Sequence, residues 1–227
     1  MDGELSPSYY FDLDHFEHAA LFDGCTYVWE ALPKIEEYLS LLELGEIKCD
    51  VPDSVTLVHP ELISIGEGTV IEPGAYIRGP AWIGKECQIR HSAYIRGRLL
   101  TGDDVVIGHA TEVKNCLLLD HAVAAHFAYL GDCLIGSRAN LGAGVKCANL
   151  KLDSGYVQVR HHGQRINTGL RKLGAVIGDD SSIGCNSVPN PGTLCGKEVR
   201  AFACTNFGGF IPSTSVVRFP EPEPLPL

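Results

Sequence analysis

From residue 65 onward a branched aliphatic or β-branched residue recurs every sixth position: Ile65, Ile71, Ile77, Ile83, Ile89, Ile95, Thr101, Ile107 and Val113, with glycine following at Gly66, Gly84, Gly102 and Gly108. Four residues after each stands a second, mostly small or β-branched residue: Thr69, Ala75, Ala81, Cys87, Ala93, Leu99 as the exception, Val105 and Thr111. A period of six is neither the 3.6 of a helix nor the 2 of a single long strand. It describes a short flat strand and a corner, and three such units close a triangular coil whose interior takes alternating large and small side chains. Two five-residue steps (Val113 to Leu118, Leu130 to Ile135) shorten the pattern. It resumes at Ile135 and Leu141, and again at Ile177 and Ile183 with Ser181, Ser187, Thr193, Val199 and Thr205 in the small row. The expected fold is mainly β: a left-handed parallel β-helix of hexapeptide repeats, of about seven coils, an exception to the right-handed rule for parallel crossovers.

Three segments fall outside the repeat. Residues 1–50 hold twelve acidic side chains against Lys34 and Lys48, whereas residues 51–227 hold sixteen of each sign, so the net charge of −10 sits in the first fifty residues. There Val28, Leu32, Ile35, Leu39 and Leu42 form one apolar stripe, which predicts a helical cap over about 9–45, kinked at Pro33, with Glu30, Glu36, Glu37 and Glu43 on a solvated outer face. Residues 148–176 leave the register and carry YVQVR, predicting a hairpin-like arm; long loops on solenoids are functional or embrace a neighbouring subunit. The proline-rich end predicts an extended tail over 213–227, leaving 51–212 as the β-helix. A body without net charge or a basic tract excludes general nucleic-acid binding. No apolar run spans a bilayer and no signal peptide opens the chain, so a cytoplasmic protein without membrane association is expected. The nine scattered cysteines contain no C-x-x-C pair and read as reduced thiols rather than disulfides or metal ligands.

Residues one coil apart stack about 4.8 Å apart, so spacing becomes geometry. Arg78, Arg96 and Lys114 form a ladder of cations that repel unless an anion sits among them, and a phosphate is the natural guess. His91, His109, His126 and Ala143 form a second column, and Tyr76, Tyr94, Glu112 and Tyr129 a third. Acid, base, aromatic and cation thus converge near Arg96, Glu112, Lys114, His126 and Tyr129.

The run HFAYLGDCLIGSRANLGAG at 126–144, then Asn149 and KLGAVIGDDSSIG at 172–184, resembles the C-terminal acetyltransferase domain of bifunctional UDP-N-acetylglucosamine pyrophosphorylase/glucosamine-1-phosphate acetyltransferases. The long excursion is similar to that of archaeal-type sugar-1-phosphate nucleotidylyltransferases with an acetyltransferase domain. The resemblance implies acetyl transfer from acetyl-CoA to the amine of an amino-sugar 1-phosphate, by a homotrimer with active sites between subunits. It implies His126 as base, Arg96, Lys114 and Lys172 at the sugar phosphate, and Glu112, Tyr129, Asn140 and Asn149 around the sugar. Ala143, Cys185 and Ala203 match positions beside the acetyl group and coenzyme A, and no metal is implied. Cys185 stands where the acetyltransferases have serine, the excursion replaces a short turn after Asn149, and no glycine-rich uridylyltransferase loop opens the sequence, where the acidic helices stand instead. Two other readings stay open. His121 and His126 have the H-x4-H spacing of a γ-carbonic-anhydrase-like zinc site. The domain also reads as a non-catalytic trimerising or regulatory relic of a bifunctional sugar nucleotidyltransferase.

Overall fold

The computed structural model describes residues 2–219; residues 220–227 of the expected tail lie outside the described residues. The fold is a left-handed parallel β-helix of about nine turns. Its first face stacks residues 63–65, 81–83, 99–101, 116–118, 133–135, 175–177, 193–195 and 210–211. The second stacks 70–71, 88–89, 106–109, 123–126, 140–141, 182–183, 200–201 and 216–217. The third stacks 56–58, 76–78, 94–95, 112–114, 129–131, 146–147, 188–189 and 206–207.

The two turns beyond the expected seven lie at the ends. Ile47 already bridges to Ile65, and Val216–Val217 pairs with Arg200–Ala201, past the expected boundary at 212. The closing coil was missed because Leu194 and Cys195 pair with Phe210 and Ile211, sixteen residues on, which breaks the count of eighteen.

Both inward rows are buried: Ile77, Ile95, Val113 and Leu130 are inaccessible, as are the interior ends of Cys87, Cys116 and Cys133. The hydroxyls among the small residues are satisfied between coils. Thr69 Oγ1 donates to the Gly84 carbonyl at 2.9 Å and accepts from Cys87 N at 3.0 Å. Ser187 repeats this with the Phe202 carbonyl and Thr205 N.

The first face differs from the other two because its outward side is also apolar. Leu100, Leu117, Leu134, Val176 and Leu194 point away from the coil interior, yet all are fully buried. What covers them is the N-terminal segment and the excursion, which join them in a second core with Tyr10, Phe11, Trp29, Leu32, Ile35, Leu39, Val157 and Val159. Each such side chain contributes about 1.5–3 kcal/mol by leaving water. The acidic segment therefore lies along a face of the β-helix and does not cap its end. It is also less helical than its stripe predicts: an eleven-residue α-helix spans Ala31–Leu41, preceded by a single α-helical turn at Pro7–Tyr10 and 3-10 turns at Ala19–Phe22 and Val28–Glu30. Pro33 falls in the first turn of that helix, where no intrahelical N–H is needed, so it starts the helix and does not kink it. Glu36 is exposed, as expected, and pairs with Arg98 of the β-helix at 3.1 Å.

A buried carboxylate fastens the segment further. Asp179 accepts from Asp12 N at 2.7 Å and from Ser137 N at 2.8 Å, tying the N-terminal segment to two coils. The excursion contains the expected hairpin, Gln158–His161 against Gln164–Asn167, antiparallel, and it folds back onto its own chain.

His18 is buried between Tyr38 and Trp82, its Nδ1 3.2 Å from the Tyr38 hydroxyl and its Nε2 without a partner among the described residues. Burial lowers its pKa from 6.5 to about 4, outweighing Asp120 and Asp103. Between those values the unfolded chain takes up a proton that the folded chain refuses. Stability therefore falls as pH is lowered from about 6.5 to 4, by on the order of 3 kcal/mol. Urea midpoints measured across this range should show that decline, and His18→Leu should remove that part of the slope.

Candidate active site

The corner between the second and third faces is built from stacked backbone. Ala110 N donates to the His91 carbonyl, Phe127 N to His109, Gly144 N to His126, Asn186 N to Ala143 and Cys204 N to Cys185, all at 2.7–3.1 Å. His91, His109, His126, Ala143, Cys185 and Ala203 therefore form one continuous row along the coils. Glycines precede Ala143 and Cys185 where the coils approach closely: a Cβ on Gly142 would lie 2.7 Å from Cys185 N, and one on Gly184 2.4 Å from Ala203 N.

The histidines in the row are not equivalent. His91 Nδ1 donates to the Pro73 carbonyl at 2.6 Å and His109 Nδ1 to the His91 carbonyl at 3.0 Å, their rings stacked at 5.5 Å. His126 is exposed, and among the described residues its ring makes no hydrogen bond. One coil on, the Gly144 N–H is consumed by the His126 carbonyl, while the Ala143 N–H meets no acceptor among the described residues. Cys185 and Ala203 follow, both exposed. An open imidazole, a free amide donor and a line of small side chains thus share one edge.

The third face holds the expected cations, but protein carboxylates occupy the place given to an anion. Arg96 binds Glu112 at 2.7 Å, with its guanidinium 5.9 Å from the Tyr94 ring centre, and the ion pair raises the Arg96 pKa. Lys114 lies 3.8 Å from Asp132. Tyr129 stacks between Glu112 and Lys146, half-buried, and burial raises its phenol pKa.

Asp132 is the hub of this side. It is nearly buried and accepts from Asn115 Nδ2 at 2.8 Å and Asn149 Nδ2 at 2.6 Å besides facing Lys114. Its own backbone makes this possible: Arg98, Asn115 and Asp132 stand one coil apart at the corner into the first face, with φ of 53°, 52° and 54°. Each turns the chain in one left-handed position; Asn115 and Asp132 lie within the two five-residue steps, and Arg98 holds the same corner one coil earlier in a six-residue step. Gly131 leaves the space over this corner, since a Cβ there would lie 2.6 Å from both Asn149 Nδ2 and the Tyr129 hydroxyl. Beside the hub opens a cleft of about 470 Å³ lined by Arg98, Lys114, Asp132, Arg171 and Lys172 among others.

The expected residues therefore fall into two groups in one chain. Lys114, Asn149 and Lys172 meet around Asp132, with Arg96, Glu112 and Tyr129 on the adjoining face. His126, Ala143, Cys185 and Ala203 line the other edge. Asn140 joins neither: it projects from the second face between Val123 and Ser182, exposed. Asp132, Asn115, Arg98 and Arg171 were not singled out by sequence. Asp132 lies inside the HFAYLGD run, but Arg98 and Asn115 belong to a 17-residue corner column that an 18-residue ladder passes over. The H-x4-H pair is separated by the strand Val123–His126, and His121 Nδ1 is held by Asp104 at 2.7 Å, so one chain does not bring both rings to one ion.

Residues 77–169 match the family described as the GMPPB C-terminal domain. A bifunctional sugar-1-phosphate nucleotidylyltransferase/acetyltransferase of Sulfurisphaera tokodaii is 37% identical over 89 residues, 39% of this chain and 22% of that protein. The bifunctional protein GlmU of a Cyanothece species is 30% identical over 164 residues, 72% of this chain and 28% of that protein. The chain thus spans less than a third of the length of these relatives. The UDP-N-acetylglucosamine acyltransferase of Francisella novicida superposes with a TM-score of 0.52 at 16% identity, over 75% of this chain and 66% of that one. The chain is a left-handed β-helix of hexapeptide repeats that resembles the C-terminal acetyltransferase part of GlmU-like bifunctional proteins.

Proposed function

We propose that the chain is an acyltransferase that moves an acetyl group from acetyl-CoA to the amine of an amino-sugar 1-phosphate of the glucosamine 1-phosphate type. In this reading it serves nucleotide-sugar biosynthesis in the cytoplasm as a homotrimer. The observation that carries the reading is the row in which His126 is open and unpaired directly beside the free Ala143 N–H.

An amine at neutral pH is mostly ammonium and must lose a proton before it attacks a thioester. An imidazole has the matching pKa, and a positioned base is worth about 10²- to 10⁴-fold. As the amine adds to the thioester carbonyl, His126 takes its proton, and the Ala143 N–H faces the oxygen that gains charge. Collapse expels the thiolate of coenzyme A, which recovers the proton. The small side chains of Ala143, Cys185 and Ala203 leave backbone accessible over three coils, room for an extended pantetheine arm. The cleft supports an anionic substrate: four cations, Arg98, Lys114, Arg171 and Lys172, face one lining carboxylate. Lys114 and Arg96 keep free donors beyond those used on Asp132 and Glu112, so phosphate joins these pairs without breaking them. The His126 edge and the cation cleft flank the third face from opposite sides, an arrangement that a site completed between subunits of a trimer resolves.

Release of free thiol from acetyl-CoA, measured with a panel of amino-sugar 1-phosphates, tests the reading. His126→Ala should lower kcat by about 10²- to 10⁴-fold with an unchanged melting temperature. Equal turnover in that variant, or none with any sugar in the native chain, overturns the assignment. Lys172→Ala, a change at an exposed side chain, should raise KM for the sugar phosphate several-fold while leaving KM for acetyl-CoA in place.

A further inference from the structure

The hairpin arm carries a cluster of ligating side chains remote from both groups of the proposed site. His161 ends the strand Gln158–His161, and His162 follows with a φ of 45°, in the left-handed region. Neighbouring residues of an extended strand point to opposite faces. The left-handed turn at His162 instead brings the two rings together, centroids 4.2 Å apart. Both Nε2 atoms then converge on one oxygen of Glu4, His161 at 2.9 Å and His162 at 2.7 Å. All three potential ligand atoms lie within 4.8 Å of one another.

The surroundings are graded from closed to open. His161 is buried, edge-on to Phe210 at 4.8 Å, so one ring is locked in orientation by packing. Glu4 is half-exposed and His162 open. They face a cleft of about 610 Å³ lined by Gly3, Glu4, Ser6, Ser8, Tyr9 and His162, without lysine or arginine among these residues. Two imidazoles and one carboxylate are too rich in nitrogen for calcium or magnesium and match the donor set of zinc and its borderline neighbours. Donor atoms about 2.0–2.1 Å from a tetrahedral ion stand roughly 3.3 Å apart. The two nitrogen-to-oxygen separations need to open by only about half an ångström, which the half-exposed Glu4 and the open His162 side chains supply by rotation. The ion would replace the protons that now bridge the nitrogens to the carboxylate.

We propose that Glu4, His161 and His162 form a binding site for a zinc-class divalent cation, with its fourth position open to water in the cleft. The site joins residues 157 positions apart in the chain and pins the hairpin arm to the N-terminal turn beside Phe210. It lies outside the residues assigned to acetyl transfer and stands or falls separately from that reading.

The full chain, stripped with chelator and dialysed against zinc chloride, should retain one equivalent of zinc by elemental analysis. Cobalt(II) in its place should give the intense visible bands of tetrahedral nitrogen and oxygen ligation. His162→Ala and Glu4→Gln change accessible side chains, and each should weaken the ion by more than about tenfold, the loss that even an outer-shell change brings. Zinc should also slow amide exchange over residues 158–167. His126→Ala should bind zinc as the native chain does. The proposal is overturned if no stoichiometric zinc is retained. It is equally overturned if binding survives unchanged in both Glu4→Gln and His162→Ala, or if cobalt shows thiolate charge-transfer bands in place of nitrogen ligation.

Discussion

Everything in this protein depends on the stacking of coils about 4.8 Å apart through parallel backbone hydrogen bonds. Stacking at that distance leaves a narrow triangular interior with little room to vary. Ile77, Ile95, Val113 and Leu130 repeat at one position and the smaller Ala75, Ala93, Thr111 and Ala128 at another, a pairing of large with small that Leu99 alone breaks among the residues from 69 to 111. The same constraint makes the exterior a lattice. A residue's neighbours are those one coil away, and the corner row from His91 to Ala203 exists because the backbone beneath it cannot slip. Where the coil is shortened to seventeen residues, the left-handed residues Asn115 and Asp132 stand within the five-residue steps.

The first face obeys an additional rule. A sheet buried on both sides reads as a continuous apolar run, whereas one with a wet side alternates. LLT, CLL, CLI, AVI and TLC at 99–101, 116–118, 133–135, 175–177 and 193–195 are continuous, and each is buried at all three positions. That face recruits the N-terminal segment and the excursion into a second core. Two polar fastenings add to it, Asp179 holding the N-terminal segment to the coils and Glu4 holding it to the hairpin arm. The acidic segment thus acts as a wall of the molecule rather than a cap, and the neutral β-helix behind it presents its own cations on another edge.

The third face illustrates how a charge column is settled. Like charges at one coil spacing repel, and the chain answers with Glu112 and Asp132 placed among them. Asp132 also collects Asn115 and Asn149, so its removal would leave two part-buried amide donors without this partner as well as breaking the ion pair. His126 stands at the other extreme. The two histidines before it in the row, His91 and His109, are spent on backbone carbonyls, and it is left open.

The β-helix, its left-handed class, the hairpin and the columns were legible in the sequence by itself, because a fixed period converts spacing into position without knowledge of distant contacts. The run from His126 to Gly144 carried the resemblance for the same reason. Only the tertiary structure decided what the outward leucines of the first face pack against, since amphipathic stripes state that a partner exists and not which one. It likewise decided that Lys114 faces Asp132, that Asn140 belongs to a different face from Tyr129, and that Glu4 meets two histidines more than 150 residues away. Those meetings arise where the non-repeating segments return to the solenoid. Their paths are set by which apolar surface remains uncovered, a property of the assembled molecule and of no local stretch of its chain.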